Sequence, residues 1–438
     1  MTSGFAKSNY ETEGHNISTS SVHRFYQHEQ DGVRPNAGSL LKQFKASNSF
    51  NSDPSVLSTV EGCSFCPYDD NLLVTVTGFQ SSITAGYVQM WDLNEFDEDN
   101  VTPCPVSCIF FTYSPLPACQ FSSDGGLVTA ILNNGVNHLS VLAVDEDDEL
   151  TPCNVKCDGK NLLTGRVKCC VFSQDNQKAV TVSTDSTMWT FNRTNRTEIC
   201  IWRITSRLLM KNVWRGSCEL LCPEFRGNVH SCVLSPNCDY VVISSSLGQS
   251  IILDCNVFKT VSPTNCTCVS QDVPVGPLTC LFNPKFPCKL LFCHHNTWCC
   301  LRDLEMGLHH QGIANYIVED QSVTANACTF SLDGDLLAVA LSNAAVVLCD
   351  ARTLDKVFEM KPSFSLTQAS SIAITRSCQE LAAGYSNGSV CIWQLPARFV
   401  LKHLCRMVII KLIPPNKIPL LPLPRKLKTY LLYEGCSI

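Results

Sequence analysis

Twenty-eight cysteines and ten histidines stand out in this chain of 438 residues. Thiolates and imidazoles are metal ligands, nucleophiles and general bases, so their grouping is the first place to look for chemistry. The densest group is Cys293-His294-His295 followed by Cys299-Cys300. A structural zinc site closes with four ligands, commonly from two spaced pairs. Here the group falls across an expected hairpin, and no second Cys-x-x-Cys pair accompanies it. Cys266-x-Cys268 and Cys218-x3-Cys222 are sparser still. The chain also lacks Gly-x-Ser-x-Gly, a glycine-rich phosphate loop and His-Glu-x-x-His. These patterns predict no metal, no cofactor and no catalysis by the chain itself.

A second kind of chemistry, apolar recognition, is written near the C-terminus. Leu401, Leu404, Cys405, Val408, Ile409 and Leu412 fall at i, i+3, i+4, i+7, i+8 and i+11, one stripe of a helix. Lys402, Arg406 and Lys411 lie off that stripe, and Pro414-Pro415 stop the helix. Further on, Leu421-Pro422-Leu423-Pro424 holds two leucines on an extended backbone. About 40 residues cannot usually sustain a core of their own, so this segment needs a partner or its parent domain. Charge marks the same boundary. From Pro396 onward eight Lys/Arg face one acid, a net of +7, so the first 395 residues carry -13 of the total -6. Basic residues interleaved with an apolar stripe, beside a strongly acidic body, argue against nucleic-acid binding.

The body that must present these groups is repetitive. A phrase of Phe-Ser or its equivalent, a turn with Asp, Asn or Gly, and a run of aliphatics recurs seven times. It is anchored at Phe65, Phe121, Phe172, Leu234, Phe282, Phe330 and Ile374, spaced 44 to 62 residues apart. Each phrase fits two strands joined by a tight turn. A third strand follows, clearest in Gly86-Tyr87-Val88-Gln89-Met90-Trp91-Asp92 and Gly388-Ser389-Val390-Cys391-Ile392-Trp393.

Three segments result: a mostly disordered polar N-terminus (1–55), the repeat body (56–395) and the C-terminal segment (396–438). Ser39-Leu40-Leu41-Lys42-Gln43-Phe44 leaves room for an extra strand and an eighth, degenerate copy. The last copy holds only three strands before Pro396, and Val56-Leu57-Ser58-Thr59-Val60 is the expected source of its outer strand. Long connections are expected after residues 93, 144, 184, 204 and 254.

The polar N-terminal stretch contains no apolar signal core, and no apolar run reaches the ~18 residues that cross a bilayer. The cysteines are therefore expected as free thiols in a reducing compartment: cytoplasmic, with the nucleus as a second location, and with no membrane contact.

Each copy resembles a WD repeat, which builds most of one four-stranded blade of a β-propeller. The resemblance implies an all-β fold: a propeller of seven blades, or eight if the degenerate copy counts, followed by a small α-helical module. That module, Leu401-Lys402-His403-Leu404-Cys405-Arg406-Met407-Val408-Ile409 with Leu421-Pro422-Leu423-Pro424 and Leu427-Lys428-Thr429-Tyr430-Leu431, resembles a SOCS box. Their succession is similar to the WD-repeat and SOCS-box-containing family. The resemblance implies a non-catalytic substrate receptor, whose box recruits elongin C with elongin B, then cullin-5 and its RING partner. The propeller would hold a protein substrate of unidentified nature. By the same resemblance Leu401, Leu404, Cys405, Val408 and Ile409 would bind elongin C, and Leu421, Pro422, Leu423 and Pro424 the cullin. A WD-repeat scaffold outside any ligase, its tail helix packed on its own ring, is the alternative reading.

Overall fold

A computed structural model describes residues 38–46, 58–79, 86–95, 104–111, 115–132, 140–144, 148–153, 156–157, 166–173, 177–185, 196–206, 209–217, 229–245, 249–265, 277–304, 313–318, 320, 322–363, 367–395, 420–424 and 428. Its strands form seven sheets, antiparallel but for one added strand in the third, and these are the blades of a β-propeller. Each of the seven anchors is the last residue of its blade's inner strand: Ser58–Phe65, Pro115–Phe121, Arg166–Phe172, Val229–Leu234, Pro277–Phe282, Ala325–Phe330 and Ala369–Ile374. These inner strands pack against one another in cyclic order, the last against the first.

The recurrent phrase works through its hydroxyl. In the second blade the Leu127 amide donates to Ser122 Oγ at 2.9 Å, and Ser122 Oγ donates to Asp124 Oδ1 at 2.5 Å. Ser235 repeats this with Tyr240 and Asn237, and Ser331 with Leu336 and Asp333. Ser173 and Thr375 take the amides of Lys178 and Glu380. Such side-chain to backbone bonds hold a turn shut independently of distant contacts. Gly334 takes the left-handed conformation in its turn, φ +68°. It also leaves space for Asn283 of the preceding blade, whose Nδ2 donates to the Gly334 carbonyl at 2.8 Å.

The core lies between blades, so middle strands are buried on both faces. Leu336–Leu341 shows this. Leu337, Val339 and Leu341 pack with Leu291, Cys293 and Leu301 of the preceding blade, whereas Leu336, Ala338 and Ala340 pack with Leu381, Ala383 and Tyr385 of the next. A strand covered on both sides reads as an unbroken apolar run rather than an alternating one.

The third blade has a fifth strand, Lys156–Cys157, added in parallel to Leu209–Ser217. The last blade completes itself from the other end of the chain. Its outer strand is Leu40–Lys45, paired antiparallel with Ser389–Gln394. The expected closing segment, Val56–Val60, is displaced from that role, because Ser58–Phe65 is the inner strand of the first blade. The closing role falls instead to the residues that had suggested an eighth blade, so the ring has seven blades and reaches back beyond residue 56. Residues 1–37 lie outside the described residues.

Closure is reinforced at several levels. Phe44 is buried against Trp91, ring centroids 4.8 Å apart. Lys42 Nζ donates to the Leu93 carbonyl, and its charge offsets part of the desolvation of Glu380. Asp70 in the first blade accepts the Arg376 and Ser377 amides of the last at 3.0 and 3.3 Å. Arg376 in turn donates to the Pro67 carbonyl at 3.0 Å and stands over the Tyr68 ring.

Candidate functional site

The cysteine and histidine group resolves into packing. Cys293 and Cys299 are register partners on neighbouring strands of the fifth blade. Both are fully buried, and they share an apolar cluster with Leu291, Cys328 and Val339. The Cys299 and Cys328 thiols bond to Cys293 and, with burial added, are held well above the ordinary thiol range. Burial likewise pushes Cys280, Cys349 and Cys391 up to about 12. The hydrogen bonds that Cys293 accepts from Cys299 and Cys328 lower its own thiol, whereas the thiols held up are protonated and shielded and behave as small apolar groups. Among the described residues twenty cysteines are free thiols, sixteen of them buried. Among the same residues no group of three or more His, Cys, Asp or Glu is arranged to hold a metal ion.

The elongin-binding residues expected from the sequence, Leu401, Leu404, Cys405, Val408 and Ile409, lie outside the described residues. The second half of the segment is described. Leu421 and Leu423 are half-buried, Pro422 and Pro424 are exposed, and Leu420 is 82% exposed. The Leu423 amide donates to the Leu421 carbonyl at 2.8 Å, a three-residue turn across Pro422. Pro422 and Pro424 each restrict the leucine before them to extended backbone, which keeps this run out of a helix. Past it, the Lys428 amide donates to the Pro424 carbonyl at 3.1 Å, the spacing of a helical turn.

A feature that sequence reading missed lies on the inner strands. Register breaks near the start of every one of them. In six blades one extra residue is inserted, always four positions before the anchor: Glu61, Lys168, His230, Leu278, Asn326 and Ser370. Bulges of this kind re-aim a side chain out of the regular alternation. The residue types vary too much between blades for a single sequence to reveal the equivalence; it emerges only when the strand pairings are compared.

Two of these residues tie blades together. Asn326 Nδ2 donates to the Ala369 carbonyl of the next inner strand at 2.9 Å. Ser370 Oγ donates to the Val60 carbonyl of the first blade at 2.5 Å and to Gly384 at 3.1 Å. Glu61 differs. It is half-buried and has no hydrogen-bond or ion-pair partner among the described residues. Its carboxylate lies against Gly78, where a Cβ would collide with it. Burial pushes its carboxyl above the ordinary carboxylate range.

Compared with known proteins, residues 399–432 match the model of the SOCS box family. No curated protein matches the chain. What the sequence and structure together establish is a seven-bladed β-propeller continued by a C-terminal segment similar to the SOCS box.

Proposed function

We propose that this protein is the substrate receptor of an elongin B/C and cullin-5 RING ubiquitin ligase. Its propeller holds a protein substrate, and its C-terminal segment docks on the ligase core. The observation that carries the reading is succession in one chain: a closed ring of seven blades ending at Leu395, then a SOCS box match that begins at residue 399. A propeller offers loops on a rigid frame, the usual site of recognition. The stripe Leu401, Leu404, Cys405, Val408 and Ile409 has the spacing of a helix laid in an apolar groove, and elongin C is its partner in this reading. The half-buried Leu421 and Leu423 with Pro422 and Pro424 serve the cullin. Ubiquitin transfer belongs to the recruited enzymes; the receptor contributes proximity between substrate lysines and the charged conjugating enzyme. With this reading goes a cytoplasmic protein, the nucleus being a second location.

The test is co-purification of the full chain with elongins B and C. Wild type is expected to retain both. Leu401→Ala combined with Cys405→Ala truncates two side chains that this reading seats in the elongin C groove, and should lose both elongins. Changing Leu421-Pro422-Leu423-Pro424 to alanines should keep the elongins and lose cullin-5. Absence of elongin from the wild-type preparation would reject the receptor reading.

A further inference from the structure

Glu61 is a half-buried carboxylate on the inner strand of the first blade. Asn326 and Ser370 hold equivalent positions, and each donates a hydrogen bond to a carbonyl of the following blade's inner strand. An ionised carboxylate has no proton to give, so Glu61 in its charged form cannot make that bond. A bulge position that joins blades elsewhere therefore holds, in the first blade, a charge without a counterion among the described residues. Gly78 is part of the arrangement, because a side chain there would occupy the space of the carboxylate. Holding a desolvated charge unpaired costs stability, and such a cost is commonly retained where a ligand supplies the missing partner.

We infer that Glu61 is a binding site for a cationic side chain, lysine or arginine, of a protein ligand that engages the inner strands of the ring. Two independent observations meet in it. One is local: a partly desolvated acceptor pair without a donor, where a cation gains more than at an open surface. The other is global: residues 1–395 carry a net charge of -13, a field that draws basic segments toward the propeller. The inference rests on the substrate-receptor reading and adds to it that the substrate presents a basic side chain.

The experiment uses the full chain and an array of nine-residue peptides with a central arginine or lysine in randomised flanks. A matched array carries citrulline or acetyl-lysine at the centre. Wild type should retain a subset of the cationic peptides at least tenfold more strongly than their neutral counterparts. Glu61→Gln should abolish that preference, while Glu61→Asp, which keeps the charge on a shorter arm, should restore part of it. Equal retention by Glu61→Gln would mean that the overall acidic field does the binding, and would overturn the site. No preference for cationic over neutral centres would overturn it as well. Melting of the same variants separates binding from folding: Glu61→Gln should melt no lower than wild type, and a lower melting temperature would assign the carboxylate a structural role instead. Elongin co-purification of Glu61→Gln should be unchanged. Loss of elongin from wild type would remove the receptor reading, whereas loss of peptide preference alone would remove only the Glu61 site.

Discussion

The first and last blades are neighbours across the ring closure and are built from the same phrase, yet they use the polar groups at their inner-strand bulges differently. The last blade spends its groups on the first. Ser370 bonds the Val60 carbonyl, and the Arg376 side chain reaches the Pro67 carbonyl. From the first blade the Thr59 hydroxyl donates to the Ser386 carbonyl of the last at 3.3 Å. The first blade satisfies its own interior, as where Trp91 Nε1 donates to Thr75 Oγ1 at 2.9 Å. At its bulge, however, it keeps a carboxylate that bonds nothing among the described residues. Closure between distant chain segments relies on such links, because no local turn holds them together; Glu61 follows Val60 on the same strand, yet its carboxylate is not one of them.

The strongest way to break this comparison is to remove the closing strand. Deleting residues 38–46 uncovers the edge of Ser389–Gln394 and takes away the buried Phe44. The deletion should leave no cooperative unfolding transition in urea, and Phe44→Ala alone should cost about 3–5 kcal/mol, as large-to-small changes in a packed core do. A wild-type midpoint for the deletion would show that the ring closes without this strand. It would also restore Val56–Val60 as a candidate for the role.

A smaller effect is expected at the seam itself. Ser370→Ala removes a donor from the Gly384 carbonyl and leaves the Val60 carbonyl with only the longer bond from Ser371 Oγ, 3.4 Å. Its expected cost is about 1 kcal/mol in denaturant unfolding. A neutral result would place the seam's strength in strand pairing and packing alone.

The smallest effect has the opposite sign. Because burial raises the Glu61 carboxyl in the folded state, folding favours its protonated form. The stability tied to this group is therefore fullest below the ordinary carboxylate value and is lost as pH rises through the raised one. Glu61→Gln should be slightly more stable than wild type near neutrality, with the difference closing as pH falls below the ordinary carboxylate range. A difference that stays constant with pH, measured by parallel melts, would mean that the carboxylate is not desolvated.

Much of the ring was readable because its turns are local. All seven anchors end inner strands, since Ser122, Ser235 and Ser331 find their partners within five residues. Outer strands were not readable. Long connections expected after residues 144, 204 and 254 are short, and strands begin at Leu150, Leu209 and Lys259. The last of these strands contains Val261, 52% exposed, and carries little apolar alternation. An edge strand covered on one side only has no need of the pattern by which buried strands are recognised. The C-terminal stripe, read from helical spacing, lies outside the described residues; the SOCS box match covers its positions. Glu61 was illegible as a member of a ring of equivalent positions.

The sequence by itself determined the seven recurring phrases, the places where inner strands turn, and the boundary at which an acidic repeat body gives way to a basic, SOCS box-like segment; that the ring has seven blades and not eight came from the strand pairings. The features read from sequence depend on neighbours a few residues apart. Only the tertiary structure decided which strand closes the ring and that the bulged Glu61 has no partner among the described residues. Both are matters of who stands beside whom over some 300 residues of chain, as in the Thr59 to Ser386 and Ser370 to Val60 bonds. Such pairings are set by the geometry of closing a circle, which no local stretch of sequence contains.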